Sequence, residues 1–407
     1  MIPRAGASLP PLDSTRHPTL ALWSLSLAYF AMGTSAIALV GLINEVSAAF
    51  DVSKPAIAAV VTLFALTFAV VAPLLQIAAG RLPRRTVLIA GLLTMGAAGL
   101  WTALATTYPS LAAARVLLAL GSAAVGPVAS SLGAGLVPAE RQGHALAVVF
   151  SGMTFATVLG LPMATWIGAL AGWRWAFAGL ALACTGIAVL VALLVQDRRP
   201  APAVSLASFG QVLRDRAAAW AITMALCQMA AIFSLYALVA PFLQERFGVP
   251  ARLLPLAFLI AGGCSVLGNL AVGRLGDRLG SERTLMLSTG CLLAAFLVVL
   301  LLPAHPAVGM TAFAIWSMIG MTFYAPQQKR LIELAPAARN LLLAMNASAL
   351  YIGMSLGAAA AAQAWLHVGP WSLPAVAAAF VVGGMLAFRA SLRAQQRRAQ
   401  HPAGSVL

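Results

Sequence analysis

Charge is what this 407-residue sequence has least of: 9% of its residues are Asp, Glu, Lys or Arg, against about one quarter in soluble domains. So few charges cannot cover a water-facing surface, which excludes an ordinary soluble domain. Acid is scarcer still, with ten Asp and Glu against 25 Lys and Arg. None of the ten lies deep in an apolar run; Glu45, Glu245 and Glu333 sit near run ends. The His residues are no deeper, with His144, His305 and His367 in or beside connections. Four cysteines (Cys184, Cys227, Cys264, Cys291) lack metal-ligand spacing and read as small buried apolar residues. There is no glycine-rich phosphate loop ending in Lys-Ser or Lys-Thr, which excludes an ATP-driven pump. No Gly-x-Ser-x-Gly elbow or paired metal motif is present, so the sequence carries no enzyme constellation and calls for no cofactor or metal.

What the sequence has is apolar length, with 61% hydrophobic residues. Thr86–Thr106 and Ala145–Gly172 contain no charge at all. About 20 such residues at a rise of about 1.5 Å cross a bilayer core. Twelve spans are expected: 19–43, 54–79, 86–106, 109–136, 142–170, 174–195, 217–243, 251–272, 283–302, 306–331, 337–365 and 371–390. The first is too long for the core of a cleaved leader and is kept as a span. Residues 1–18, with four prolines, and 391–407 read as tails. Residues 196–216, carrying Pro200 and Pro202, read as a linker between two six-helix halves, 19–195 and 217–390.

The basic residues test this topology. With the N-terminus inside and the spans alternating, twenty Arg and Lys fall on the inner side. Four (Lys54, Arg174, Arg246, Arg252) fall outside, and Arg115 remains within a span. That is the positive-inside bias, with both termini cytoplasmic. Basic residues confined to short connections, without interleaved aromatics, do not form a nucleic-acid surface. A high Arg to Lys ratio and Ala-rich spans suggest a bacterial inner membrane. An internal repeat accompanies the topology. Gly160-x-x-x-Ala164-x-x-x-Gly168 recurs as Gly353-x-x-x-Gly357-x-x-x-Ala361, and Gly80-Arg81-Leu82 recurs as Gly273-Arg274-Leu275, both at an offset of 193. Two features at one offset point to two related halves in the same orientation.

Several local patterns carry candidate function. The connection after the eighth span reads Gly273-Arg-Leu-Gly-Asp277-Arg278-Leu-Gly280-Ser-Glu-Arg283, a carboxylate among arginines able to clamp one conformation, or simply a solvated basic loop. Its first-half counterpart, Gly80-Arg-Leu-Pro83-Arg84-Arg85, lacks the Asp. In the fourth span, Arg115-Val-Leu-Leu-Ala119-Leu-Gly121 places an arginine in lipid, which is costly unless it is paired or hydrated; the bland alternative is an arginine snorkelling at the outer end. The fifth span runs Gly152 through Gly160-Leu-Pro162 to Gly168, then Gly172-Trp173-Arg174-Trp175-Ala-Phe177, with small residues for close helix approach and a proline for a bend.

These strings resemble the major facilitator superfamily, specifically its drug:proton antiporter branch that includes arabinose, sugar and nucleoside efflux proteins. The resemblance runs from about residue 20 to 390. It implies an all-α membrane protein with two six-helix bundles around a central cavity, working by alternating access as a monomer, with efflux of a small amphipathic or sugar-like solute across the cytoplasmic membrane coupled to inward proton flow as the expected activity. It also implies coupling or gating roles for Arg84, Arg85, Arg115, Gly121, Gly160, Pro162, Gly273, Asp277 and Arg278. Polar groups in lipid seek the protein interior, so Gln76, Gln228, Asn269, Gln328 and Asn346 are expected there, and Tyr29, Tyr236 and Tyr351 join Gln228, Gln328 and Asn346 as candidate cavity groups. Ala36 stands where the efflux branch often has Glu, and a proton antiporter usually needs a buried carboxylate. That favours the alternative of an uncoupled facilitator or importer in the same fold; a non-transporting sensor is disfavoured by the short connections.

Overall fold

The computed structural model describes residues 18–78, 82–138, 141–196, 215–335 and 339–400. The expected linker falls outside them except for Gln196, Asp215 and Arg216, and so do most of the first tail and residues 401–407. Among the described residues the chain is helical throughout. Its helices are α1 Pro18–Gly41, α2 Ile43–Phe50, α3 Lys54–Ala78, α4 Arg84–Leu104, α5 Tyr108–Gly135, α6 Gln142–Phe155, α7 Leu161–Ala171 and α8 Trp173–Leu194. The second half holds α9 Arg216–Tyr236, α10 Val239–Phe247, α11 Leu254–Leu279, α12 Ser281–Leu301, α13 Pro306–Gly320, α14 Tyr324–Leu334, α15 Arg339–His367 and α16 Leu373–Gln400. Together they supply twelve apolar segments long enough to cross a bilayer, the fifth running from α6 into α7 and the tenth from α13 into α14.

The helices begin and end for local reasons. Thr107 caps α5 by accepting from Ser110 N–H, with Pro109 in the first turn, and Asp215 caps α9 by accepting from Ala217 and Ala218 N–H. Gly172 and Gly280, at φ of 95° and 78°, turn the chain directly from α7 into α8 and from α11 into α12. Side chains there would be strained, which is why those turns carry glycine. Between α6 and α7 the turn widens to a π-segment, Ala156–Gly160. Pro162, just beyond it, cannot donate to the carbonyl four residues back, and the wider turn accommodates that loss.

The structure corrects several expected boundaries. The first span is not one helix to 43: it stops at Gly41, and Leu42 at φ −108° turns the chain into α2. The seventh stops at Tyr236, with Leu238 at φ −121° before α10. These two breaks lie 196 residues apart, close to the 193-residue repeat. The tenth span breaks between Gly320 and Tyr324. The expected break at Gly273–Arg283 is instead a continuation of α11 to Leu279, with Gly280 alone making the turn. The last helix runs to Gln400, so residues 391–400, expected as tail, are helical.

Helices α1–α8 pack together as one half and α9–α16 as the other. In the first half α4 lies against α5 and α8, and in the second α9 lies against α15 and α16. The halves meet where α3 packs along α15 and where α7 and the π-segment meet α11. Close approach at these seams depends on glycine. A Cβ at Gly152 would sit 1.9 Å from the Ser26 carbonyl oxygen, and one at Gly357 would sit 2.1 Å from that of Ala230. At the seam between halves, a Cβ at Gly262 would sit 2.7 Å from Thr157 O. The outer surface is apolar: Leu301, Leu182 and Leu170 are 85%, 76% and 71% exposed. Leucines displayed that openly all round a helical bundle fit hydrocarbon as the surrounding solvent. We call the face at which α1 begins the terminal face, and the opposite one the distal face.

Candidate functional site: an aromatic level between the halves

Four aromatic side chains from both halves stand at one depth. Counted from the terminal-face ends of their helices, Tyr29 is eleven residues from Pro18 and Phe68 ten from Ala78. Tyr324 is ten from Leu334, and Tyr351 is twelve from Arg339. At about 1.5 Å per residue that is roughly 15–18 Å, the middle of a bilayer core about 30 Å thick. Phe68 and Tyr351 stack across the seam with centroids 3.8 Å apart and planes at 28°. Tyr29, Tyr324 and Tyr351 are close enough to interact electrostatically. Tyr29 donates to the Gly126 carbonyl at 2.7 Å and shares a 2.6 Å hydrogen bond with Ser130 Oγ, while Phe150 lies edge-on at 5.3 Å. Tyr324 keeps 39% of its surface open although it lies among these groups.

The other expected cavity groups separate from this level. Tyr236 sits nearer the distal face, edge-on to Phe233 at 5.4 Å and 6.2 Å from Trp316. Gln228 is fully buried and donates to Thr289 Oγ1 at 2.7 Å, with Oε1 unpartnered. Asn346 is fully buried with both amide atoms unpartnered. Gln327, buried beside the expected Gln328, donates to the Ala221 carbonyl at 2.7 Å. Gln328 itself is half-buried, within hydrogen-bonding reach of Tyr324. The Gln76 side chain lies outside the described residues.

Charge in the interior is positive. Arg115 is 1% exposed, so it does not snorkel. Its Nη1 donates to the Ser35 carbonyl at 2.8 Å and its guanidinium lies 5.0 Å over the Phe177 ring, while Nε and Nη2 have no hydrogen-bond partner. Arg330, counted in the sequence only as a topology marker, is equally buried. Its Nη2 donates to Ser391 Oγ at 3.0 Å and Gln395 Oε1 at 3.3 Å, Phe388 lies beneath it at 5.0 Å, and Glu282 stands 3.6 Å from Nε. Arg84 donates to Ser131 through its carbonyl and hydroxyl, and Arg85 to the Ala192 carbonyl, tying the start of α4 to α5 and α8. Gly121 is a packing glycine whose Cβ would fall 2.7 Å from the Gly91 carbonyl oxygen; at Gly160 it would fall 2.1 Å from Thr34 Oγ1. Pro162 is buried at the start of α7. Gly273 is exposed with open space beside it, and Arg278 is exposed. The Asp277 side chain, the carboxylate of the expected charge clamp, lies outside the described residues.

At the distal face, side chains cross between the halves. Asn44 on α2 donates to Gln244 Oε1 on α10 at 2.8 Å, and Lys54 pairs with Glu245 at 2.5 Å. The first bond joins the two short helices created by the breaks at Leu42 and Leu238, and the second joins the start of α3 to α10. Glu45, beside them, is half-buried with Oε2 unpartnered. Burial pushes its carboxyl above the ordinary range.

Two bundles of repeat-related helices around an aromatic seam invite comparison with known proteins. The sequence profile of the Major Facilitator Superfamily matches residues 25–358. This chain belongs to the major facilitator superfamily. Among curated relatives of this facilitator, the chloramphenicol resistance protein of Streptomyces lividans is 30% identical over 355 residues, spanning 86% of this chain and 90% of the relative. The inner membrane transport protein YdhP of Escherichia coli O157:H7 is 30% identical over 349 residues, spanning 83% and 87%. Among solved structures, a bacterial homolog of the human lysosomal transporter Spinster, inward-facing and occupied, superposes with a TM-score of 0.72 at 16% identity, covering 95% of this chain and 98% of that one. The same homolog inward-facing and unoccupied gives 0.69. At that identity the likeness speaks for the fold. The facilitator is thus a twelve-span membrane transporter, as the sequence motifs implied.

Proposed function

We propose that this facilitator exports a small amphipathic solute across a bacterial inner membrane by alternating access, with the terminal face cytoplasmic. The observation that carries the reading is the pairing of an aromatic level at mid-membrane with cross-half bonds at the distal face. Rocking between halves requires a state in which one face is latched, and the distal bonds supply such a latch. The sidedness rests on the gathering of Arg and Lys at the terminal face. The efflux direction and the solute class draw on the name of the Streptomyces lividans relative.

Proton coupling is the first form of this reading, with Glu45 as the titrating group, because it is a half-buried carboxyl with a free oxygen beside the latch. Uncoupled exchange is the second, favoured by Ala36 and by the absence of any carboxylate in the interior of a span. Purified protein in vesicles, loaded with chloramphenicol under an imposed pH gradient, tests both. Flux that follows the gradient and loses that dependence in Glu45→Gln supports coupling. Protein-dependent flux indifferent to the gradient supports exchange, and no protein-dependent flux of any amphipathic solute overturns the proposal.

A further inference from the structure

The mid-membrane level is aromatic and hydroxylated, yet among the described residues nothing negative stands near it. Among the described acidic side chains at span ends, Glu282 and Glu333 lie in the first turn of α12 and the last turn of α14, and Asp215 caps α9. Glu45, Asp51 and Glu245 belong to the distal face. Among the described residues the two buried charges are both guanidinium groups, one in each half. Arg115 has no carboxylate partner, and Arg330 has one at 3.6 Å that is itself 44% exposed. In a medium of low dielectric such charges act over long distances.

We infer that the site formed by Tyr29, Phe68, Tyr324 and Tyr351 selects uncharged, ring-bearing solutes and rejects organic cations. This deepens the proposed export function and rests on it. A cation placed there sheds its water, finds no counter-ion and feels the uncompensated charge of Arg115, with that of Arg330 offset in part by Glu282. The quadrupoles of four rings recover only part of that loss. An anion fares no better, because no cationic donor lines the level: Arg115 is held against Ser35 and Phe177, nearer the distal face, and Arg330 against Ser391 and Phe388. An uncharged ring loses little on leaving water, stacks on the Phe68–Tyr351 pair, and meets the hydroxyls of Tyr324 and Tyr29.

Three triaryl probes of similar size separate the cases: triphenylphosphine oxide (uncharged), methyltriphenylphosphonium (cation) and triphenylacetate (anion). Titrated against purified protein by calorimetry, the uncharged probe is expected to bind about tenfold or more tightly than either ion. Tyr351→Ala is expected to weaken it by about tenfold. Ser130→Asp, which sets a carboxylate beside the Tyr29 hydroxyl, is expected to reverse the preference toward the phosphonium, while Ser130→Asn leaves it unchanged. Equal or tighter binding of the phosphonium to the unaltered protein overturns the inference. So does chloramphenicol flux in vesicles that persists unchanged in Tyr351→Ala, which leaves the export reading standing. Charge-selective binding without protein-dependent flux upholds the site and overturns export alone.

Discussion

Reversing one charge of the distal latch should open that face by a predictable amount. Lys54 and Glu245 are 31% and 40% exposed, so their attraction is screened by water and contributes about 0.2–1 kcal/mol. Glu245→Lys removes that attraction and adds a repulsion of similar size, a change of about 0.4–2 kcal/mol between the latched and open states. Every 1.4 kcal/mol is about tenfold in population, so the latched fraction relative to open falls by roughly two- to thirtyfold. The Asn44–Gln244 hydrogen bond remains and limits the effect. Single-molecule energy transfer between dyes at Asp51 and Arg252, both exposed on the distal face, reads the two populations. The double exchange Lys54→Glu with Glu245→Lys should restore most of the latched state. Raising salt from about 0.15 M, where the Debye length is about 8 Å, to about 1 M should shrink the single mutant's effect. An unchanged distribution in Glu245→Lys, or failure of the exchange to restore it, refutes the latch.

Arg115→Met should leave thermal stability unchanged or raise it, because an unpaired buried charge is replaced by an apolar chain of similar volume; a fall of several degrees in melting temperature contradicts this. Flux under a pH gradient measured on the same variant tests the coupling role separately. Gly357→Ala, whose Cβ would sit 2.1 Å from the Ala230 carbonyl oxygen, should cost about 1–3 kcal/mol by forcing α15 from α9, read as a lower melting temperature, while Gly186→Ala, with open space around it, should be neutral. Glu45 has a raised pKa when buried, so its contribution to the folded state is full below the ordinary Glu range and is lost as pH rises through the interval up to the raised value. Glu45→Gln should therefore melt higher than the unaltered protein at neutral pH and lose that part of the pH dependence; identical pH profiles refute the assignment.

Much of the fold was legible because apolar length and arginine placement are strong signals in lipid. The breaks at Leu42 and Leu238 were not, because neither residue is Pro or Gly. Conversely, the glycines at Gly273 and Gly276 suggested a loop, yet α11 continues through both, and the true turn needs positive φ only at Gly280. The candidate site was half legible. Tyr29 and Tyr351 were singled out, but Phe68 and Tyr324 were not, since spans that are apolar on every face give no helical phase to say which ring points inward. The same ambiguity hid Arg330: beside Lys329 it reads as one more cytoplasmic charge, and only packing against Ser391 and Phe388 shows it buried.

The central claim is that one site serves both faces in turn and that the distal face must open for transport. Cysteines at positions 44 and 244, replacing the bonded Asn and Gln in a background lacking the four native cysteines, can be bridged by a short bifunctional thiol reagent that a reductant cleaves. The account predicts that bridging stops solute flux, that reduction restores it, and that solute binding from the terminal face survives. Undiminished flux in fully bridged protein would contradict it.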